Sequence, residues 1–219
     1  MTTWPEHLER EVARYRDGEA RLPEATDPDV RQKQLTRLGN AAGGAGLALL
    51  MEGRTVEAAE WFARAADRYR ESYADAPPAS WGRLIGAVKS RVLAGDWEGG
   101  RRDALWTLEE GSAEAESPIG RYAASLALLV LDRNVEARRV AGSIRERGDF
   151  PHDVADALAT LAADDRLGYI EAVESVLESF ETRDQYLEDM PVADTVIVLQ
   201  ALAARRGIAT ELQSTLLPG

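Results

Sequence analysis

Glu171, Glu174, Glu178 and Glu181 recur at 3-4-3 spacing, the spacing that gathers side chains on one face of a helix. Asp184, Glu188 and Asp189 extend the charge beyond them. A carboxylate stripe of this kind suits a basic protein partner or a divalent cation; a solvated outer helix face is the plainer reading. The second set is aromatic: Trp61 and Trp81, followed by Trp97 and Trp106, with Arg64, Arg68, Arg101 and Arg102 close by in sequence. Tryptophan is enriched at interface hot spots, so Trp61 and Trp81 either fill the core or line a groove that receives a partner or a small molecule.

Other chemistry finds little to stand on. Only two histidines occur, His7 and His152, each near a helix-opening proline and neither paired at ligand spacing. Both read as surface or capping residues, because triad and metal chemistry need a second group to hold the imidazole. The stretch from Gly95 to Arg101, GDWEGGR, imitates a phosphate loop with arginine for lysine, but its flanks are helical where that loop requires a strand. There is no cysteine, which removes disulfides, thiolate metal sites and cysteine nucleophiles. No Glu-x-x-His pair supports a di-metal bundle. The expectation is therefore a non-enzyme with no cofactor and no metal.

Composition narrows the partner. Lysine and arginine total 26 against 38 aspartates and glutamates, a net charge of -12. Nucleic-acid affinity depends on cationic neutralisation of phosphates, so that class is disfavoured. The opening MTTWPEHLEREV lacks the basic and apolar regions of a secretory leader, and no apolar run reaches the length of a membrane span. A cytoplasmic protein without membrane contact is expected.

The elements that must position these residues are helices. From Leu38 to Ala76 the chain reads as two helices folded about Gly53-Arg54-Thr55. Leu38, Ala42, Ala45 and Leu49 line one helix; Ala58, Phe62, Ala65 and Tyr69 line its return, with Thr55 as the expected N-cap. Gly39, Gly43, Gly44 and Gly46 each cost a helix about 1 kcal/mol relative to alanine, so they predict a close approach by a neighbouring helix. Further hairpins are predicted, giving pairs at about 28–76, 80–111, 117–148 and 151–182, and an apolar closing helix at about 191–207. The turns, near residues 53, 95, 132 and 165, recur at the period of helical-hairpin arrays. No alternating run with a hairpin turn predicts a strand. The reading is one all-α domain over 1–219, made of antiparallel hairpins as an α-solenoid or a closed helical array.

The central hairpin resembles a tetratricopeptide repeat. Gly46 and Gly53 stand at the motif's small positions, and Ala58, Phe62 and Ala65 match its A-x3-F-x2-A core. Ala42, Leu49 and Arg70 depart from it, standing where the motif has Trp, Tyr and Pro. Near the C-terminus, Tyr186-Leu187-Glu188-Asp189-Met190-Pro191 and Leu199-Gln200-Ala201-Leu202-Ala203-Ala204-Arg205-Arg206-Gly207 resemble the ending of the immunity protein 49 family. That resemblance implies an all-helical protein that neutralises a toxin by binding it, with no catalytic residues. The leading expectation is thus a protein-binding helical repeat, with an immunity factor as one form of it. The alternative is a small-molecule-binding or catalytic bundle with a pocket near Trp61 and Trp81. A homodimer is a third possibility, favoured if the apolar helix from Val192 is exposed.

Overall fold

Side-chain caps set where several of the helices begin. In the computed structural model, which describes residues 3–219 without the side chain of Leu187, the fold is all-α, with ten α-helices and no strand among the described residues. Helix α1 (Trp4–Arg21) opens with the Glu6 carboxylate accepting from Thr3 N–H at 2.7 Å, a capping-box contact. Helix α2 (Pro28–Met51) opens with Asp27 accepting from Val30 N–H at 3.0 Å. Proline at N1 follows this cap and also the Ser117 cap of α6 (Pro118–Val130), where its missing N–H leaves nothing unsatisfied. The remaining helices are α3 (Thr55–Tyr73), α4 (Trp81–Leu93), α5 (Trp97–Glu109), α7 (Asn134–Arg145), α8 (His152–Ala162), α9 (Arg166–Glu181) and α10 (Asp194–Ala204). Thr55 is the first residue of α3; the cap position belongs to Arg54.

Four turns between helices share one geometry, and three of them close packed hairpins: α2 on α3, α6 on α7 and α8 on α9. Gly53, Gly95, Asp132 and Asp164 each adopt the left-handed conformation, with φ of 74°, 68°, 58° and 57°. In each, the next residue's N–H reaches back five residues: Arg54 to Leu49, Asp96 to Arg91, Arg133 to Leu128 and Asp165 to Thr160, at 2.9–3.0 Å. This is the Schellman ending of a helix, which satisfies carbonyls that the helix itself leaves open. The same backbone therefore recurs four times on two different residue types.

The chain divides into two compact units. The first holds residues up to Asp96 together with Gln185–Val192 and Leu217–Gly219; the second holds Trp97–Asp184 and Ala193–Leu216. In the first unit α1 packs on α2, α2 on α3 and α3 on α4. Tyr15, Leu35, Leu38, Ala41, Ala42 and Ala65 form one core cluster, and Leu49, Ala58 and Phe62 another. Small residues on α2 let α3 come close. A Cβ on Gly46 would lie 2.7 Å from the Phe62 ring, and the Tyr69 ring is held between Gly39 of α2 and Gly86 of α4. Gly43 has nothing near it and takes no part in this approach.

In the second unit, α6 is buried almost throughout, from Tyr122 to Val130. Helices α5 to α9 pack in sequence order, and α10 lies against α8 and α9. Val192, in the first unit, is buried, as are Val196, Val198, Leu199 and Leu202 on α10 in the second. The exposed apolar helix on which the homodimer expectation rested is thus absent from the single chain. Among the described residues, no helix is long and apolar enough to cross a membrane.

Candidate functional site

The carboxylate stripe lies on α9. Asp165 accepts from Gly168 N–H at 3.1 Å and starts the helix, and Tyr169, Ala172, Val173, Val176, Leu177 and Phe180 turn to the core. That leaves Glu171, Glu174, Glu178 and Glu181 exposed together on the opposite side. Glu181 accepts a hydrogen bond from the Ser214 hydroxyl at 2.6 Å. Among the described residues, no arginine or lysine pairs with any of the four. The contrast is with α3 and α7, where Arg54 grips Glu57 and Arg133 grips Glu136 one turn away. Like charges at three- and four-residue spacing oppose the helix by about 0.2–0.5 kcal/mol per pair. Among the described residues, no group of three or more acidic or histidine side chains is arranged to hold a metal ion.

Trp61 and Trp81 do not share a groove. The Arg91–Asp67 ion pair and the packing of Tyr69 on Gly86 fix α3 and α4 as antiparallel. In that register the two tryptophans stand at opposite ends of the pair, about 20 Å apart along the axis at 1.5 Å per residue. Trp61 is half-buried, edge-on to Tyr15 with ring centres 5.2 Å apart, and the Arg64 guanidinium lies 4.6 Å over its ring. The Trp81 Nε1–H is buried and meets no acceptor among the described residues. A cavity of about 210 Å³ lies in the second unit, floored by Leu108, Leu128 and Val140 and rimmed by Glu114, Arg133, Glu136 and Arg139. It is smaller than the 300–1,000 Å³ usual for ligand pockets. The Gly95–Arg101 stretch is the ordinary Schellman turn and first turn of α5, with Gly99 and Gly100 buried.

A connected polar cluster on α1 and α2 is one that the sequence reading missed. Glu11 of α1 is 0 % exposed, in space left by Gly44 of α2. Its two oxygens accept from Arg10 Nε and Arg14 Nη1, each at 2.7 Å. Arg14 Nη2 then donates to Glu188 Oε2 at 2.5 Å, Arg10 Nη2 donates to the Glu188 carbonyl at 3.0 Å, and Asn40 Nδ2 donates to Glu188 Oε1 at 2.8 Å. The Tyr69 hydroxyl donates to Asn40 Oδ1 at 2.9 Å. Burial pushes the Glu188 carboxyl up, but the hydrogen bonds and charges of Arg14, Asn40 and Arg10 outweigh it and hold the group below the usual carboxylate range.

His7, expected at the surface, is only 4 % exposed. It tilts against Trp4 and its Nδ1 has no partner among the described residues. The run His7, Glu11, Tyr15, Gly18, at 4-4-3 spacing, is the buried face of α1. Its polarity hid it, since an ion at a core position breaks the apolar period. His152 is exposed. Compared with models of known families, with curated proteins and with solved structures, the chain matches none.

Proposed function

We propose that this chain is a non-enzymatic, tetratricopeptide-like helical-hairpin protein of the cytoplasm that binds another protein, with the α9 carboxylate face as its contact. The observation that carries the reading is the row Glu171, Glu174, Glu178, Glu181, exposed and without a cationic partner among the described residues. Four like charges on one helix face oppose folding, and their field attracts and orients a basic surface. The hairpin turns, repeated with one geometry, support the same view, because stacked helical hairpins commonly serve as binding scaffolds. The specific form we favour is an immunity factor that occludes a basic toxin, in keeping with the sequence likeness around Tyr186–Pro191 and Leu199–Gly207.

The test uses the full chain as bait in lysate of its own host, at low and high salt, beside the variant Glu174→Lys with Glu178→Lys. A basic protein retained by the wild type, lost at high salt and lost with the variant, is the expected result. The same proteins retained by both baits at both salts would reject the stripe as the contact.

A further inference from the structure

Glu188 sits in a segment, Gln185–Val192, that belongs to the first unit although the chain on either side of it belongs to the second. Three side chains of α1 and α2 converge on this one residue: Arg14 and Asn40 on the carboxylate, Arg10 on the carbonyl. The donors are held in place without it. Arg10 and Arg14 are fixed by the buried Glu11, and Asn40 by the Tyr69 hydroxyl. Two arginines against one buried carboxylate leave one positive charge over, and Glu188 supplies the charge that balances it. The occupant, by contrast, is strained: Glu188 and Asp189 are consecutive non-glycine residues in the left-handed region, both with φ of 54°. Such strain persists only where surrounding contacts impose it, and it favours release when they weaken.

We propose that Arg10, Arg14 and Asn40 form a carboxylate-binding site for an acidic peptide segment, held in this structure by the chain's own Glu188. Arg14 Nη2 and the Asn40 amide each donate to a different oxygen of one carboxylate, a two-point contact that suits a planar carboxylate better than a point anion. Arg10 reads the backbone carbonyl of the same residue, so the site recognises a carboxylate within a peptide. When the Gln185–Val192 strap leaves, Glu11 keeps both arginines aligned, and the site stays formed with its surplus charge open to solvent. An acidic segment of another chain then takes the place of Glu188.

The probe is a fluorescent eight-residue peptide with the sequence of 185–192, beside a version carrying glutamine for its glutamate. Both are titrated against the full-length wild type and the Glu188→Ala chain by fluorescence anisotropy. The acidic peptide is expected to bind Glu188→Ala about tenfold or more tightly than wild type, given the strength of hydrogen bonds to charged groups. The glutamine peptide should bind neither, and adding Arg14→Ala should abolish the gain. Equal binding of the two peptides, or no gain in Glu188→Ala, overturns the proposal. Should Glu188→Ala fail to fold, Asn40→Ala answers the question by hydrogen exchange. Amides of 185–192 should then exchange about tenfold faster while those of α2 do not change, and unchanged exchange in the strap overturns it.

Discussion

Two glycines three residues apart on α2 should respond to the same substitution with opposite signs. Gly43→Ala places a methyl where nothing lies within 4 Å. It removes the flexible residue from a helix interior, so it should stabilise the protein by about 1 kcal/mol. Gly46→Ala gains the same propensity, but its methyl would lie 2.7 Å from two carbons of the Phe62 ring. Phe62 is 1 % exposed and packed with Leu49 and Ala58, so the ring has no empty space to enter. Overpacking of this kind costs about 1–3 kcal/mol, which exceeds or cancels the propensity gain. The net expectation is a loss of about 0–2 kcal/mol for Gly46→Ala, so the two variants should differ by about 1–3 kcal/mol. Urea unfolding of the full chain, read by tryptophan fluorescence, measures this as a shift in midpoint at constant slope. The double mutant Gly46→Ala with Phe62→Leu completes the argument, because a smaller ring-site residue should recover part of the Gly46→Ala loss as coupling energy. Equal stability of Gly43→Ala and Gly46→Ala would refute the claim that α3 is seated against the bare backbone of α2.

The shared turn and the buried histidine give further tests. Gly53→Ala forces a Cβ into the left-handed region, at φ of 74°, and should cost about 1–2 kcal/mol. Asp164→Gly relieves the same strain at φ of 57° and should be neutral or stabilising by up to about 1 kcal/mol, both by thermal unfolding; a loss on Asp164→Gly would show that its side chain matters more than its backbone. For His7, burial and then Arg10 push the pKa below the ordinary value, against Glu11, Glu6 and Asp189. The unfolded chain then takes up the proton first, so stability is full above about pH 6.5 and falls as pH drops from there through the folded value. Urea midpoints from pH 7.5 to 5 should show this fall in the wild type and a flatter line in His7→Gln; identical slopes would exclude His7 as the source.

The all-α class was legible because it rests on local rules. Asp27-Pro28 and Ser117-Pro118 place a side-chain acceptor and a missing N–H where a helix start needs them, and both head helices in the structure. Gly39 and Gly46, costly in a helix, announced the close approach of α3. The polar cluster was not legible for the opposite reason. Glu188 lies 174 residues from Arg14 and 148 from Asn40, so nothing in the local pattern of either partner points to the other. Glu11 was passed over because an acidic residue at a core position looks like surface until two arginines are seen to neutralise it. The groove imagined between Trp61 and Trp81 failed on geometry: helices that run antiparallel carry residues near their N-termini to opposite ends.

Three of the exposed apolar residues, the most exposed of them, follow from the turn itself. Val56 and Val135 are 76 % and 86 % exposed, and each is the second residue of the helix that follows a Schellman turn. Their surroundings repeat: Arg54-Thr55-Val56-Glu57-Ala58 and Arg133-Asn134-Val135-Glu136-Ala137, with an arginine at the cap position, a glutamate one turn on that grips it, and an alanine that is buried. Leu167 occupies the same place after the turn at Asp164 and is 76 % exposed. The alanine position must face the partner helix of the hairpin, as Ala58 and Ala137 do at 1 % and 0 % exposure. The residue two places earlier is then rotated by about 200° and points outward whatever its chemistry. Its exposure is fixed by the turn geometry, and single exposed apolar side chains are ordinary on protein surfaces. These three residues are therefore marks of a repeated hairpin, and a binding surface has to be sought where charge or strain is left uncompensated: on α9 and under Glu188.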